Sequence, residues 1–247
     1  MPELARRQSC VMVETGDGAG GEMLALDLGN GAMSGVLAAG LSPFAVDRIF
    51  ISHFHPDHTT DLPPLLFSMN YGAEEPRERP LRLYGPEPFR QFWAALLAVW
   101  GEWMVADYPL SVEELPLDTG RSEPVTGDGY SVSWRPVSHR PESIGYRIED
   151  SGRSFVYTGD TGYCESVVEL AQGADLLLIE CTHSLDQETI PGHLNPEGVA
   201  RIANKAGVKR VILTHFPTME ADLAAEVRRC GYTGEVLCAR DGLQLQV

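Results

Sequence analysis

The chain contains no run of about 18 apolar residues, the length a helix needs to cross a bilayer, so no membrane span is expected. It has no CxxC pair. The five cysteines, Cys10, Cys164, Cys181, Cys230 and Cys238, are odd in number and scattered. That argues against a disulfide framework and for reduced thiols in a cytoplasmic setting. The start, MPELARRQSC, has two arginines but no apolar stretch behind them, so no signal peptide is expected. Low-complexity tracts and internal repeats are absent too. Basic residues are scarce, 19 Lys and Arg against 35 Asp and Glu, for a formal charge of −16. Such a surface repels phosphate backbones at long range, and sequence-independent nucleic-acid affinity comes mainly from Lys and Arg. Any chemistry on a phosphate must therefore rest on a local site, where a bound cation can reverse the field.

What is present is an ordinary globular composition, 43% hydrophobic and 22% charged over 247 residues, enough to bury a sizeable core. Short apolar runs recur: CVMVE (10–14), MLALDLG (23–29), VDRIFIS (46–52), LRLYG (81–85), YSVSWRPV (130–137), IGYRIE (144–149), SFVYTG (154–159), DLLLIE (175–180), RVILTH (210–215) and GEVLCA (234–239). Their β-branched and aromatic content, with Gly, Asp or Pro at the ends, predicts strands. Phe89, Phe92, Trp93, Leu96, Leu97 and Trp100 fall on one face of a helix. That face is expected to pack against a sheet, and a substrate-gating role or a contact with a second copy in a homodimer are its alternative uses. Asn195 and Pro196 predict the start of a helix ending near Gly207, and a further helix is expected over 219–230. The pattern predicts two mixed sheets packed face to face with helices outside, an α/β sandwich. With no Pro/Gly/Ser linker, residues 1–247 read as a single domain.

The seven histidines are unevenly placed. Three lie in ISHFHPDHTTDL (51–62), directly after an apolar strand. In an extended segment His53 and His55 point to one side, while Pro56 ends the strand and turns Asp57 and His58 toward a second position. Three more ligand-type residues stand where other strands end: His139 after YSVSWRPVS, Asp160 after SFVYTG and His215 after RVILT. Each alone would pass as a hydrogen-bonded surface residue or a turn. Together they make seven nitrogen and oxygen ligands, a set suited to two zinc-class ions, with Mn²⁺ or Fe not excluded by such donors.

HxHxDH, a lone His, an Asp and a final His, in this order, resemble the metallo-β-lactamase superfamily over nearly the whole chain. The resemblance implies an αββα sandwich and two Zn²⁺. One metal is then held by His53, His55 and His139, the other by Asp57, His58 and His215, with Asp160 bridging. The superfamily's oxygen-reducing diiron branch has Glu at the place of His55, so the resemblance is to the hydrolytic branch. HFHPDHTTDLPPLL, LYGPEPFRQF and GVKRVILTHF are similar to ribonuclease Z. LIECTH and GHLNPEG stand where that branch has its HEAT segment and a catalytic His, which assigns Glu180 and His193.

These resemblances imply a hydrolase in which Asp57 accepts the proton of the attacking water. His193 protonates the leaving alkoxide, and Glu180 orients it. No role is assigned to His183, and Cys164 is expected to begin a helix. The substrate expected is a small or activated phosphodiester. Alternatives are a sulfate ester or lactone, a tRNA 3′ end, or metal binding without catalysis. Ribonuclease Z proteins commonly carry a tRNA-gripping arm between the lone His and the bridging Asp. Here that interval reads RPESIGYRIEDSGRSFVYTG, two strands and a turn, which leaves no room for an arm. The family's opening Leu-Gly-Thr/Ser-Gly segment also has no counterpart before RRQSCVMVE. A folded RNA partner is accordingly not expected.

Overall fold

The computed structural model describes residues 6–16, 21–72, 77–104, 106–118, 122–217 and 221–247. The chain, read from sequence as one domain, builds two compact units, Pro2–Pro116 and Leu117–Val247. Each has its own sheet and its own core. Among the described residues no helix is long and apolar enough to cross a membrane.

The first unit holds a five-stranded mixed sheet in the order β1-β2-β3-β4-β5. β1 (Val11–Glu14) runs antiparallel to β2 (Met23–Leu26). From there β2, β3 (Arg48–Phe50), β4 (Leu81–Pro86) and β5 (Leu110–Leu115) are parallel. Parallel strands covered on both faces read as continuous apolar runs. Accordingly Leu24, Ala25, Leu26, Ile49, Phe50 and Ile51 are all fully buried. β5 escaped the strand pattern because LSVEEL is half polar, as befits an edge strand that must discourage further pairing. The helices are α1 (Ala32–Ala38), α2 (Pro56–Thr59), α3 (Leu62–Tyr71) and α4 (Phe89–Trp100). α4 packs as its spacing predicts. Phe89 is buried, and Phe92, Trp93, Leu96 and Leu97 lie against the core of Ile49, Leu62, Leu65, Leu66 and Leu83. Trp100 falls at the exposed last turn, which Gly101 closes at a φ of 54°.

The second unit holds a seven-stranded sheet in the order β12-β11-β10-β9-β8-β7-β6. β6 (Val125–Thr126), β7 (Tyr130–Pro136), β8 (Ile144–Asp150) and β9 (Arg153–Tyr157) are antiparallel neighbours. β9, β10 (Leu176–Glu180), β11 (Arg210–Thr214) and β12 (Glu235–Cys238) are parallel. Two reversals bring β7 back into the direction of β9, so β7, β9, β10 and β11 all end at the same edge. β8 and β9 are joined by Ser151 and Gly152 at φ 48° and 76°, a two-residue hairpin turn of the mirror-image type. The interval from His139 to Asp160 is therefore a plain hairpin, with no inserted arm.

α5 (Glu165–Leu170) starts from Cys164, as expected, and α6 (Pro196–Ala206) runs between an Asn195 cap and Gly207 at φ 66°. The Asn195 side chain accepts the Gly198 amide at 3.0 Å, satisfying a backbone donor that the helix start leaves open. α7 (Leu223–Arg229) begins later than the expected 219 because Asp222 caps it, accepting the Ala225 amide. Residues 219 and 220 lie outside the described residues. The core joins Val156, Leu177, Ile179, Val199, Ile202, Ala203, Val211 and Leu213.

Candidate metal centre and its supporting network

In the first unit the ligand-type residues follow β3. His53 is buried, and His55 is the extended residue that caps α2, with Pro56 at the first helical position. Asp57 and His58 occupy that one-turn helix. The three imidazoles are gathered: the His53 ring centroid lies 4.6 Å from that of His55 and 4.2 Å from that of His58. The His58 Nε2 to Asp57 Oδ2 distance is 3.8 Å.

The histidines are held from behind by Asp27, a residue the ligand pattern did not single out. Asp27 is fully buried and sits just beyond β2 at a φ of 59°. For a residue with a Cβ that conformation costs on the order of 1 kcal/mol. Its Oδ1 accepts the Ser52 amide at 2.7 Å. Its Oδ2 accepts the Ser52 hydroxyl at 2.7 Å and His58 Nδ1–H at 2.7 Å. The Ser52 oxygen in turn accepts His53 Nδ1–H at 3.0 Å. Asp27 can reach because the backbone after β2 lies against α2, where the Leu28 amide donates to the His58 carbonyl at 2.7 Å. Gly29 is required there, since a Cβ would stand 2.0 Å from the Asp57 carbonyl oxygen.

In the second unit His139, Asp160, Glu180 and His215 gather at the shared strand edge. The bridge between Ser138 and Gly162 draws the segment after β7 against the one after β9. Glu180 and Thr214 are direct register partners at the ends of β10 and β11, so His215 is the next residue out. His139 Nε2 lies 3.8 Å and His215 Nε2 3.2 Å from Asp160 Oδ2. His139 Nδ1–H donates to the Gly192 carbonyl at 3.0 Å.

Glu180, fully buried, is the hub of this edge. Its Oε1 accepts the Thr161 amide at 2.8 Å and His193 Nδ1–H at 2.8 Å. Its Oε2 accepts the Thr182 hydroxyl at 2.8 Å and the Leu194 amide at 3.0 Å. His193 thus comes to the edge although its loop lies far along the chain. Its ring stacks parallel to that of His215 at 5.6 Å and meets His139 edge-on at 4.8 Å. His215 stands at φ 55°, a second strained residue at the site. His183, unassigned from sequence, accepts the Ile190 amide on Nε2 at 3.4 Å, inside the loop that presents His193. Cys164 hydrogen-bonds with Ser166 and caps α5, and takes no part in either group.

Tautomer chemistry makes these rings fit a divalent cation. His53, His58 and His139 each commit Nδ1–H to a serine, a carboxylate or a carbonyl. Each ring then keeps Nε2 as its basic nitrogen, the arrangement that supporting hydrogen bonds give to metal-ligating histidines. The donor set is imidazole and carboxylate, suited to zinc and its neighbours.

A sequence model of the beta-lactamase superfamily domain matches residues 35–216. The chain belongs to the metallo-β-lactamase superfamily. The Ribonuclease Z of Methanothermobacter thermautotrophicus is 30% identical, over 80% of this chain and 78% of that protein. Among solved structures, the metallo-β-lactamase fold protein YhfI of Bacillus subtilis is 26% identical with a TM-score of 0.81, covering 98% of this chain and 92% of that one. The short form of human tRNase Z is 25% identical with a TM-score of 0.76, covering 98% and 93%. The metallo-β-lactamase fold expected from the ligand motif is thus the fold of this chain, and its kinship lies on the ribonuclease Z-like side of a superfamily of metal-dependent hydrolases.

Proposed function

We propose that this superfamily member is a dinuclear hydrolase of small or activated phosphodiesters. His53, His55 and His139 hold one ion, Asp57, His58 and His215 the other, and Asp160 touches both; zinc is the metal best matched to this donor set. The assignment joins ligands from the two units through the family's ligand order. Divalent ions in such a set supply Lewis acidity to an ester oxygen and acidify a water.

The observation that carries the reading is the Glu180–His193 pair. A buried carboxylate holding Nδ1 at 2.8 Å fixes the ring and compensates positive charge on it while Nε2 carries a proton for transfer. An unactivated alkoxide needs such a donor far more than a good leaving group does. That need favours phosphodiesters of ordinary alcohols over sulfate esters with activated leaving groups. Asp57, about one-third exposed at the start of α2, is the residue to take the proton of the incoming water.

A second reading, a tRNA 3′ endonuclease, is favoured by the names of the relatives. Against it stand the bare β8–β9 hairpin and a charge of −16, which leave little to neutralise the many phosphates of a folded RNA. Metal analysis of protein purified without chelator should find about two transition-metal equivalents. Less than half an equivalent, with no activity gained from added zinc or manganese, counts against the proposal. The loaded protein is then given bis(p-nitrophenyl) phosphate, an unactivated diester, p-nitrophenyl sulfate, a lactone and a 3′-extended precursor tRNA in parallel. Turnover of the diesters alone is the expected result, and efficient trimming of the tRNA at physiological salt would select the second reading.

A further inference from the structure

We propose that Thr182 is a positioning residue that links His215 to the same carboxylate that serves His193. Glu180 would then govern both histidines, one directly and one through a hydroxyl. The inference rests on the reading in which His215 is a metal ligand and His193 the acid.

The Thr182 oxygen is crowded with partners. It lies 2.8 Å from Glu180 Oε2, 3.0 Å from His215 Nδ1, 3.0 Å from the His215 carbonyl oxygen and 3.4 Å from His193 Nδ1. A hydroxyl carries one hydrogen and two lone pairs. The shortest contact is to a buried carboxylate, and a hydrogen bond to a charged acceptor is about twice as strong as one to a neutral carbonyl. The hydrogen therefore goes to Glu180 Oε2. The lone pairs are left to receive a proton donor, and His193 Nδ1–H is already committed to Glu180 Oε1 at the shorter 2.8 Å. His215 Nδ1–H remains as the donor. The chain runs His215 Nδ1–H to Thr182 Oγ1–H to Glu180 Oε2, and it fixes His215 with Nε2 basic and directed 3.2 Å from Asp160 Oδ2.

Two further observations call for this link. His215 sits at φ 55°, a conformation its own backbone disfavours, so something must hold it there. Glu180 also holds the Thr161 amide, next to Asp160, and the Leu194 amide, next to His193. His193 is bonded to this single side chain directly, Asp160 adjoins a residue bonded to it, and His215 is reached from it through Thr182.

The test compares wild type with T182V, which keeps the shape and removes the hydroxyl, and T182S, which restores it. Long-range proton–nitrogen NMR of the zinc-loaded wild type should show His215 protonated on Nδ1. A His215 protonated on Nε2 instead overturns the proposal without any variant, and whether or not the protein proves to be a hydrolase. In T182V the His215 Nδ1 proton should shift or broaden in exchange. Zinc affinity, read by chelator competition, should fall roughly 10–100-fold, the usual effect of removing a ligand's supporting partner. T182S should recover both. The rate ratio between unactivated and activated diesters should stay near the wild-type value in T182V, because the Glu180–His193 bond survives. Zinc affinity within twofold of wild type in a folded T182V, with an unchanged His215 signal, overturns the proposal. Failure of the wild type to bind zinc at all overturns the functional reading instead, and the NMR tautomer still decides the hydrogen-bond chain.

Discussion

The two units reach the same chemical arrangement by opposite routes. In the first, the four ligand-type residues lie within six positions, 53–58, on one strand end and one helical turn. In the second, His139, Asp160, Glu180, His193 and His215 come from four strand ends and one loop, and sheet order brings them together. Yet each unit supports two histidines from one fully buried carboxylate, one directly and one through a hydroxyl. Asp27 holds His58 and, through Ser52, His53. Glu180 holds His193, and the contacts of Thr182 extend the same carboxylate toward His215. A buried carboxylate is costly unless its oxygens are fully hydrogen-bonded. Each accepts from at least one backbone amide, a hydroxyl and an imidazole N–H, so each carboxylate is held from several sides. The local motif supplies ligands cheaply in sequence, and the buried carboxylates supply their precision.

The largest effect expected comes from breaking the second unit at Asp160. Asp160→Ala removes the carboxylate that faces both His139 and His215 and should abolish metal retention and activity together. Metal content by elemental analysis and diester turnover are the paired measurements. A variant that keeps two equivalents of metal removes Asp160 from the bridging role. Next in size is His193→Ala, which spares the ligands. Metal should stay, while turnover of unactivated diesters falls by about 10²–10⁴. With a p-nitrophenolate leaving group the loss should be much smaller. Equal losses on both substrates would falsify the general-acid assignment.

The same contrast explains what the sequence could and could not disclose. HxHxDH is legible because spacing alone puts its members together, and His139, Asp160 and His215 are legible because each follows an apolar strand. Glu180 and His193 were reached through family resemblance, since no local spacing ties a strand-end Glu to a loop His thirteen residues on. Asp27 and Thr182 were missed. Asp27 reads as the polar end of MLALDLG, and only the packing of that segment on α2 turns it toward His58. Thr182 gains its meaning from Thr214 lying opposite Glu180, a register no single segment encodes. α1 was missed because AMSGVLA is short and holds a glycine, and β6 because two residues carry no period.

Asp27→Asn sharpens the comparison from the other side. Asparagine keeps the size but loses one acceptor oxygen and the charge, so the two bonds at one oxygen, from His58 and the Ser52 hydroxyl, and the bond at the other, from the Ser52 amide, can no longer all be made. Zinc affinity should fall roughly 10–100-fold, a smaller effect than losing a ligand. A chelator titration against wild type checks this, with a thermal melt to confirm that the first unit still folds. If Asp27→Asn binds zinc as tightly as wild type, the first unit does not depend on its carboxylate, and the parallel with Glu180 fails.

The smallest effect is expected at the opposite end of β10, away from the site. Asp175, just before that strand, accepts the Ser154 amide and hydroxyl, each at 2.9 Å, and Lys209 Nζ at 2.6 Å. The lysine hydrogen bond is the main cause that holds its carboxyl down to about 2, with the Ser154 bonds helping against burial. A carboxyl depressed in the folded state stabilises fully above its ordinary value near 4, and that contribution is lost as pH falls toward 2. Lys209 is largely exposed, so solvent and salt screen the pair and the contribution is modest. Urea denaturation of wild type and Asp175→Asn at pH 6, 4 and 3 reads it. The midpoint difference should be constant above about pH 4 and shrink below it, and added salt should reduce it. Diester turnover near neutral pH should match wild type within about twofold, since no atom of Asp175 reaches the Glu180 network. A difference that stays undiminished at pH 3 would assign the stabilisation to the shape of the Ser154 turn, with the charge contributing nothing.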